Sequence, residues 1–453
     1  MKKLMIMLAS LVCLTSFTAC GGAGSENSTD MTDNTTTIEQ NTTADNESTN
    51  ENSNDNEIYW LSTYDLNPGA GCDRSAALAL FEDEYGGKIN WIQCTDENKF
   101  DTLSNRLNAG DPVDMFSYEW NALPSGVLKG QYQPLDDYID LTASIWDDIR
   151  YAIDMFEFNG SHYVIPYEVS DPVLLIYSRT KCGEYGLADP YELYQNGEWD
   201  WNTFMDMMKT FTRDNDTAIC GIPAQAIVQS TGKAVVNYDG TKFINNINDP
   251  DIEKAELIMQ EMYSSGLYDS NWYSNYPNDG SALFYAMADW ALGASNELNP
   301  NDDLMVAPFP KFEGSDDYYV SGNYAAKMLV TGSDKGQAVA DYITCERRAI
   351  LDENAKAVTK ANKIAGGITE EQYEAIENIK ANTKSVFDFG FGMGSTMYGD
   401  GDYTFETRGV MNNIYDGILV HAQWGAPDNW AKLKASFEGI VDSTVKEYNE
   451  KIQ

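Results

Sequence analysis

Residues 88–120 read KINWIQCTDENKFDTLSNRLNAGDPVDMFSYEW, and the order of patterns in this stretch indicates the fold class. The run 88–94 has the apolar character of a short strand, and 98–108 repeats apolar residues on one face of a helix. The Gly-Asp-Pro at 110–112 ends that helix, and another strand follows over 113–117. Strand, helix and strand in succession predict an α/β protein with a parallel sheet.

The same pattern extends toward the amino terminus. Residues 57–64 (EIYWLSTY) predict a strand, and Asp73 is a candidate cap for the helix that follows it. In sheets of this kind, ligands bind beyond the carboxyl ends of the parallel strands. The sequence therefore places 62–65, 95–96 and 118–120 at the rim where a ligand would bind.

Residues 162–180, HYVIPYEVSDPVLLIYSRT, combine two strand-like runs with a short acidic loop between them. The runs are 162–165 and 173–177, and the loop holds Glu168 and Asp171. Further apolar patterns predict strands over 303–309 and 325–330 and helices over 202–212, 251–264, 335–345 and 430–447.

The stretch 197–204, GEWDWNTF, places two tryptophans beside carboxylates, a combination that also suits a sugar site. Its position at a helix start favours a structural role, because Asp200 is placed to cap the helix and Trp201 lies on its apolar side. We therefore expect Trp201 to be buried, Trp199 to be partly buried, and neither to contact ligand.

The amino terminus has the features of an export signal rather than of folded structure. Lys2 and Lys3 precede an apolar run that is too short to span a bilayer, and the run ends in Phe17-Thr18-Ala19-Cys20. Small residues before this cysteine resemble the lipobox of bacterial lipoproteins, which implies that 1–19 is a signal peptide and that Cys20 is lipidated. The alternative is an ordinary secretion signal that happens to contain Cys20.

Residues 23–57 are rich in Asn, Thr and Ser, with nine carboxylates and no Lys or Arg. Such a composition cannot bury enough apolar surface to offset the entropy of ordering. We expect a disordered, self-repelling tether over 20–57. It would join a lipid anchor to a globular body on the extracellular face of the bacterial cell membrane.

The formal net charge of −41 argues against nucleic acid as a partner, because phosphate binding needs clustered Lys and Arg. The cysteines beyond Cys20 are odd in number and lack CxxC spacing, which disfavours a disulfide framework but leaves a Cys72–Cys94 pair open. His162 and His421 are the only histidines, and neither lies in a nucleophile or zinc motif. We expect no cofactor, no metal and no catalytic residue.

Three stretches in order resemble the extracellular solute-binding lipoproteins of bacterial ABC importers, in the sugar-binding cluster related to maltose-binding protein. They are NRLNAGDPVDMFSYEWNALPSGVLKGQYQPLDDYI (105–139), the crossing region 158–204 and the return region 303–343. The resemblance covers 58–453 and implies an α/β, two-lobed periplasmic-binding-protein-like fold (class II), with hinged lobes and a central ligand cleft. It also implies a division into lobe 1, from 58–165 plus 305–345, and lobe 2, from 166–304 plus 346–453.

The resemblance further implies a function and partners. A monomer that is not an enzyme would capture a mono- or oligosaccharide between closing lobes and deliver it to the transmembrane subunits of a permease. A surface glycoside hydrolase remains an alternative, because that chemistry needs only two carboxylates. The sequence is also compatible with a binder of a cationic or peptide solute, and with a glycan-capturing adhesin that serves no transporter.

The candidate ligand-binding residues end predicted strands or match family positions, and they are Tyr64, Asp65, Tyr118, Trp120, Asp171, Trp290, Tyr403 and Arg408. Aromatic faces pack against the C–H surface of a sugar, and carboxylates accept hydrogen bonds from its hydroxyls. The resemblance implies Asp171 as a ligand-binding acid, with Glu168 as its rival. It implies that Trp290, after an Ala-Met helix, lines the second lobe, and that Tyr398 lies near the cleft with Tyr403 and Arg408.

Several of these candidates also have a structural interpretation. Tyr118 or Trp120 would pack beneath a loop, Trp290 would pack in the core, and Asp65 or Asp171 would cap a turn.

Overall fold

The structure is a computed structural model that describes residues 56–399, 407–421 and 429–452. The predicted signal peptide, Cys20 and nearly all of the predicted tether lie outside the described residues. Within the described ranges, none of the helices combines the length and the apolar character needed to cross a bilayer.

The strands, numbered in chain order, are β1 (Glu57–Ser62), β2 (Lys88–Gln93), β3 (Met115–Ser117), β4 (Glu157–Phe158), β5 (Ser161–His162), β6 (Glu168–Ser178), β7 (Ile219–Gly221), β8 (Val236–Tyr238), β9 (Phe243–Asn245), β10 (Phe284–Ala288), β11 (Leu304–Ala307), β12 (Tyr318–Tyr319), β13 (Ser321–Ala325), β14 (Lys327–Leu329) and β15 (Thr383–Lys384).

The helices are α1 (Ala76–Tyr85), α2 (Lys99–Ala109), α3 (Ser125–Leu128), α4 (Arg150–Asp154), α5 (Arg179–Glu184), α6 (Pro190–Gln195), α7 (Trp201–Phe211), α8 (Pro223–Gln229), α9 (Pro250–Ser264), α10 (Ala291–Leu298), α11 (Gly336–Leu351), α12 (Glu353–Ala365), α13 (Glu370–Asn382), α14 (Ser395–Tyr398), α15 (Val410–His421) and α16 (Trp430–Lys451). Short 3-10 helices cover Ser144–Trp146 and Phe389–Gly392.

The first sheet has the strand order β2–β1–β3–β14. β1 runs parallel to both β2 and β3, whereas β14 returns from far along the chain and pairs antiparallel with β3. The predicted strand–helix–strand pattern is confirmed. The cap of α1 is Ser75 rather than Asp73, because the Ser75 side chain accepts a hydrogen bond from the backbone N–H of Leu78.

The second sheet has the order β11–β6–β10–β7, and β13 also pairs with β6. β6 is antiparallel to β10, β11 and β13, and β7 is parallel to β10. The acidic loop predicted between two short strands is wrong, since β6 continues from Glu168 to Ser178 through Asp171. Asp171 has a φ of 46°, and the opposite strand shifts register between Ser321 and Asn323, so a local irregularity accommodates these residues inside the sheet.

The chain passes between the lobes through β6 and β13, which lie side by side. Ala325 at the end of β13 accepts a hydrogen bond from the backbone N–H of Tyr167, and β14 begins two residues later in the first sheet. The return to lobe 1 predicted at residue 305 comes too early, because β11 pairs with β6 of the second sheet. The predicted end of that segment at 345 falls inside α11, which packs on α1.

The stretch GEWDWNTF belongs to the core of the second lobe. Asp200 caps α7 by accepting from the backbone N–H of Thr203 at 2.8 Å, and Trp201 is buried, as predicted. The expectation that Trp199 is partly exposed is wrong, because it is fully buried and its indole N–H donates to the carbonyl of Pro308 at 2.8 Å. That hydrogen bond satisfies the one polar atom of the ring, so the ring can be buried at little cost.

Cys72 and Cys94 do not form a disulfide. Cys72 is exposed and Cys94 is buried, and each is a free thiol, as are the other cysteines in the described residues.

Candidate ligand-binding site

The exposed tryptophans occupy equivalent positions in the fold. Within the described residues, the tryptophans that are 36% or more exposed are Trp120 (36%), Trp290 (40%) and Trp272 (48%). Trp120 follows β3, and Trp290 follows β10. Trp272 comes four residues after Tyr268, which bridges β7 in parallel. Each therefore lies just beyond the carboxyl end of a parallel strand, where α/β sheets bind ligands.

Trp290 stands at the junction between β10 and α10, where it is the N-cap residue of the helix. The Ala-Met pair that precedes it was predicted to be helical, but it belongs to β10. The structure leaves a large part of the Trp290 ring exposed, so the core-packing interpretation does not account for it.

Asp289, directly before Trp290, is a buried carboxylate with a defined partner. It is 5% exposed, and its Oδ2 atom accepts a hydrogen bond from the ammonium group of Lys363 on α12 at 3.0 Å. Its other oxygen, Oδ1, is buried without a hydrogen-bond partner from the described residues. A buried acceptor without a hydrogen bond lowers the stability of the folded protein, unless a ligand or water supplies the missing donor.

Asp171 lies close to the same group. Burial raises the pKa of the Asp171 carboxyl, and the neighbouring Asp289 carboxylate raises that pKa further, whereas Lys363 and a hydrogen bond with Asn323 lower it. Lys363 thus pairs with Asp289 and acts on Asp171 through its charge, and the exposed indole ring of Trp290 directly follows Asp289 in the chain. We call Asp171, Asp289, Lys363 and Trp290 the acidic cluster.

Pairing between strands brings the acidic cluster together. Val173 in the middle of β6 lies opposite Ala288 at the end of β10, so Asp171 and the residues that follow β10 extend past the same paired position. The rival acid, Glu168, forms an ion pair with Lys380 at 2.9 Å instead.

The rim of the first lobe is more closely packed. The Trp120 ring lies 4.3 Å from the ring of Phe391 and 4.8 Å from that of Tyr398, measured between centroids. Tyr118 packs edge-on against Phe156 at 5.4 Å. The structure therefore brings Tyr398 to Trp120, and it gives both predicted rim aromatics a packing partner.

Glu119, between these aromatic residues, forms an ion pair with Lys99 at 2.9 Å. Burial raises the pKa of the Glu119 carboxyl, whereas the charge of Lys99 lowers it.

Three further candidates are engaged locally. Tyr64 packs edge-on against Trp60 at 5.6 Å. Asp65 accepts hydrogen bonds from the backbone N–H and the side-chain amide of Asn67, at 2.9 and 2.8 Å, as its structural interpretation as a turn cap requires. Arg408 forms an ion pair with Asp416.

Tyr403, the remaining candidate, lies outside the described residues.

Sequence reasoning missed several residues of the rim. Asp289 was adjacent to a predicted contact and shares its position after β10, so it could have been found. Lys363 and Trp272 carried no signal, because only the folded chain brings α12 and the segment after Tyr268 to the end of the second sheet.

A cavity of about 690 Å³ lies elsewhere in the molecule. Tyr151, Lys233, Tyr238, Tyr319 and Lys384 are among the residues that line it, and none of the predicted ligand contacts does.

The chain matches a known protein family. The family described as bacterial extracellular solute-binding protein matches residues 76–365. A comparison with curated proteins found no match.

Several solved structures are similar in fold. The sugar-binding protein MalE of Xanthomonas citri has a TM-score of 0.57 at 14% identity, covering 87% of this chain and 97% of that one. The galacto-N-biose-/lacto-N-biose I-binding protein of Bifidobacterium longum has a TM-score of 0.55 at 12% identity, with coverage of 86% and 97%. UgpB of Mycobacterium tuberculosis, solved with glycerophosphocholine, has a TM-score of 0.57 at 15% identity, with coverage of 86% and 99%. These likenesses establish a two-lobed fold.

Proposed function

The chain belongs to the family of bacterial extracellular solute-binding proteins, and we propose that its solute is a carbohydrate. It captures a mono- or oligosaccharide between its two lobes and delivers it to the permease of an ABC importer. The single observation that carries this proposal is the position of the exposed tryptophans, each just beyond the carboxyl end of a parallel strand.

Exposed indole rings at a binding rim suit a ligand that has both apolar faces and hydroxyl groups. The ring covers the C–H face of a sugar and removes both surfaces from water. A tryptophan exposed without such a partner would carry an unfavourable apolar surface, and three in equivalent positions are not scattered at random over the molecule.

The acidic cluster supplies the polar half of the site. The unpartnered Oδ1 atom of Asp289 accepts a hydrogen bond from a sugar hydroxyl, which satisfies an acceptor that burial has taken from water. Asp171 and Lys363 add a second acceptor and a donor beside the ring of Trp290. Hydrogen bonds of this kind to charged groups are stronger than neutral ones and fix the orientation of the bound sugar.

The ligands of the similar solved structures support a carbohydrate and also suggest a second class of solute. The Bifidobacterium longum protein was solved with lacto-N-biose, which is a sugar, and UgpB with glycerophosphocholine, which carries a quaternary ammonium group. Two carboxylates against one lysine beside an indole ring would also attract a cation. A cationic solute is therefore the second candidate.

The remaining parts of the proposal concern the setting of the protein. Cys20 carries a lipid anchor, and the body works as a monomer near the permease. The chain binds its solute without converting it, and it has no glycoside hydrolase activity.

A ligand panel tests the proposal. The purified protein is titrated with mono- and oligosaccharides and, separately, with choline-type and polyamine cations, and the unfolding temperature is followed. A saturable rise with a carbohydrate, and no hydrolysis products by chromatography, is the expected result, because a ligand that binds only the native state stabilises it by mass action. A rise with cations alone would replace the sugar by the second candidate, and sugar cleavage would replace the binder by an enzyme.

A further inference from the structure

The rim of the second lobe carries a row of exposed apolar side chains that begins in the acidic cluster and extends beyond it. Ile222 follows β7 directly and is 43% exposed, and it stands between Trp290 after β10 and Trp272 after the segment at Tyr268. These three segments are neighbours and run parallel, because β10 pairs with β7 and Ile219 of β7 bridges Tyr268. We call Trp290, Ile222 and Trp272 the rim row.

The rim row extends over more than one sugar ring. Neighbouring strands are about 4.8 Å apart, so the outer members of three adjacent strands start about 10 Å from each other. Side chains that extend from those strand ends cover a longer distance than a single pyranose ring does.

Hydrogen bonds hold the distal end of the rim row in place. The turn that carries Trp272 is closed by Asp269, which accepts from the backbone N–H of Asn271 at 2.9 Å and from the hydroxyl of Tyr273 at 2.7 Å. The carbonyl of Tyr273 in turn accepts from the hydroxyl of Tyr285 on β10 at 3.0 Å. Trp272 therefore stands on a turn that hydrogen bonds hold in place, with about half of its surface open to solvent.

The middle of the rim row is held in the same way. The backbone N–H of Ile222 donates to the carbonyl of Ala286 on β10 at 2.8 Å, and the hydroxyl of Tyr268 donates to the carbonyl of Gly221 at 3.2 Å. These bonds tie the three strand ends to one another, so the row is continuous with the acidic cluster at its Trp290 end.

We propose that the rim row is a binding track for an unbranched oligosaccharide, and that Trp272 forms a distal stacking position for a sugar unit beyond the one at Trp290. This inference rests on the proposed function. It adds that the ligand is a chain of several units rather than a monosaccharide, and that Trp272 contributes in proportion to chain length.

Titration calorimetry of the full chain tests the track. The probes are glucose, maltose, maltotriose and maltotetraose, with the corresponding xylose and galactose series in parallel. The dissociation constant of the wild type is expected to fall with chain length. Trp272→Ala should weaken binding of the longest members about tenfold while leaving the monosaccharide unchanged, as expected for the loss of one aromatic anchor. Trp272→Phe should restore most of the affinity, which separates the loss of a stacking ring from a folding defect.

Matched variants make the outcomes distinct. Trp290→Ala should weaken all chain lengths, and Tyr263→Ala, an exposed aromatic near the end of α9, should weaken none. If a carbohydrate binds but Trp272→Ala affects all lengths equally or none, or affinity does not grow with length, the track is overturned and the proposed function stands. If no carbohydrate binds the wild type, both are overturned.

Discussion

Replacing Trp290 by alanine is the most direct test of where the ligand lies. The ring is 40% exposed, and a tryptophan side chain has roughly 250 Å² of surface, so about 100 Å² is open to a ligand. At about 25 cal/mol per Å², covering all of it contributes about 2.5 kcal/mol, which is about 60-fold in the dissociation constant. A sugar that covers only one face of the ring would gain about half of that energy, which corresponds to about eightfold in the dissociation constant. We expect Trp290→Ala to weaken binding by a factor between these limits.

The control for this variant needs the same loss of packing without the loss of the site. Tyr263 on α9 has a similar exposed fraction, and it precedes the segment that enters the sheet at Tyr268, at the opposite end from the rim. Tyr263→Ala should therefore lower stability to a comparable extent and leave the affinity unchanged.

The assay is titration calorimetry with the carbohydrate that gives the largest thermal shift, together with urea unfolding of each variant without ligand. Equal affinities of Trp290→Ala, Tyr263→Ala and the wild type would refute the reasoning. The cavity lined by Tyr151 and Lys384 would then become the place to look for the ligand.

Three further predictions concern stability. Burial raises the pKa of Glu256 well above its ordinary value, so the native state holds it neutral, and the stability that this provides is present at low pH and lost as pH rises toward the folded pKa. Glu256→Gln should flatten the fall in unfolding free energy as the pH rises above the ordinary pKa of a glutamate, and an equal pH dependence of the two proteins in urea unfolding would contradict this. Asp200→Ala should lower the unfolding free energy by about 1 kcal/mol through loss of the α7 cap, whereas Asp200→Asn, which keeps an acceptor, should not. A Cβ at Gly392 would overlap the carbonyl oxygen of Leu123, so Gly392→Ala should destabilise by about 1–3 kcal/mol, and an unchanged thermal midpoint would show that the backbone yields there.

The regular elements of the first lobe were predictable because local patterns and tertiary packing agree there. Alternation and helical periodicity over 57–117 correctly indicated β1 to β3 and the helices between them. The same holds for α7, where Asp200 caps the helix and Trp201 is buried as the periodicity required.

Local preference failed where the sheet outweighed it. Asp171 followed by Pro172 is typical of a turn, yet β6 runs through both residues because β13 pairs with β6 on either side of them, at Ser170 and Val173. The pairing of the flanking residues outweighs the local turn preference, which remains as the left-handed φ of Asp171 and the register shift in β13 opposite it. The assignment of 305–307 to the first lobe could not be corrected from sequence either. The pairing of β11 with β6, which places these residues in the second sheet, is a long-range contact that the local pattern does not show.

The sequence by itself determined the α/β class, the acidic surface that argues against nucleic acid, the order of the crossing segments and the family they resemble. These properties depend on composition and on local periodicity, which a linear reading contains. Only the tertiary structure decided that Asp171, Asp289, Lys363 and Trp290 form one group, that Asp65 closes a turn and Arg408 pairs with Asp416, and that Trp272 stands on the rim. Those outcomes depend on which strand ends meet and which charges are brought together, and such long-range contacts leave no trace in the neighbouring residues of the chain.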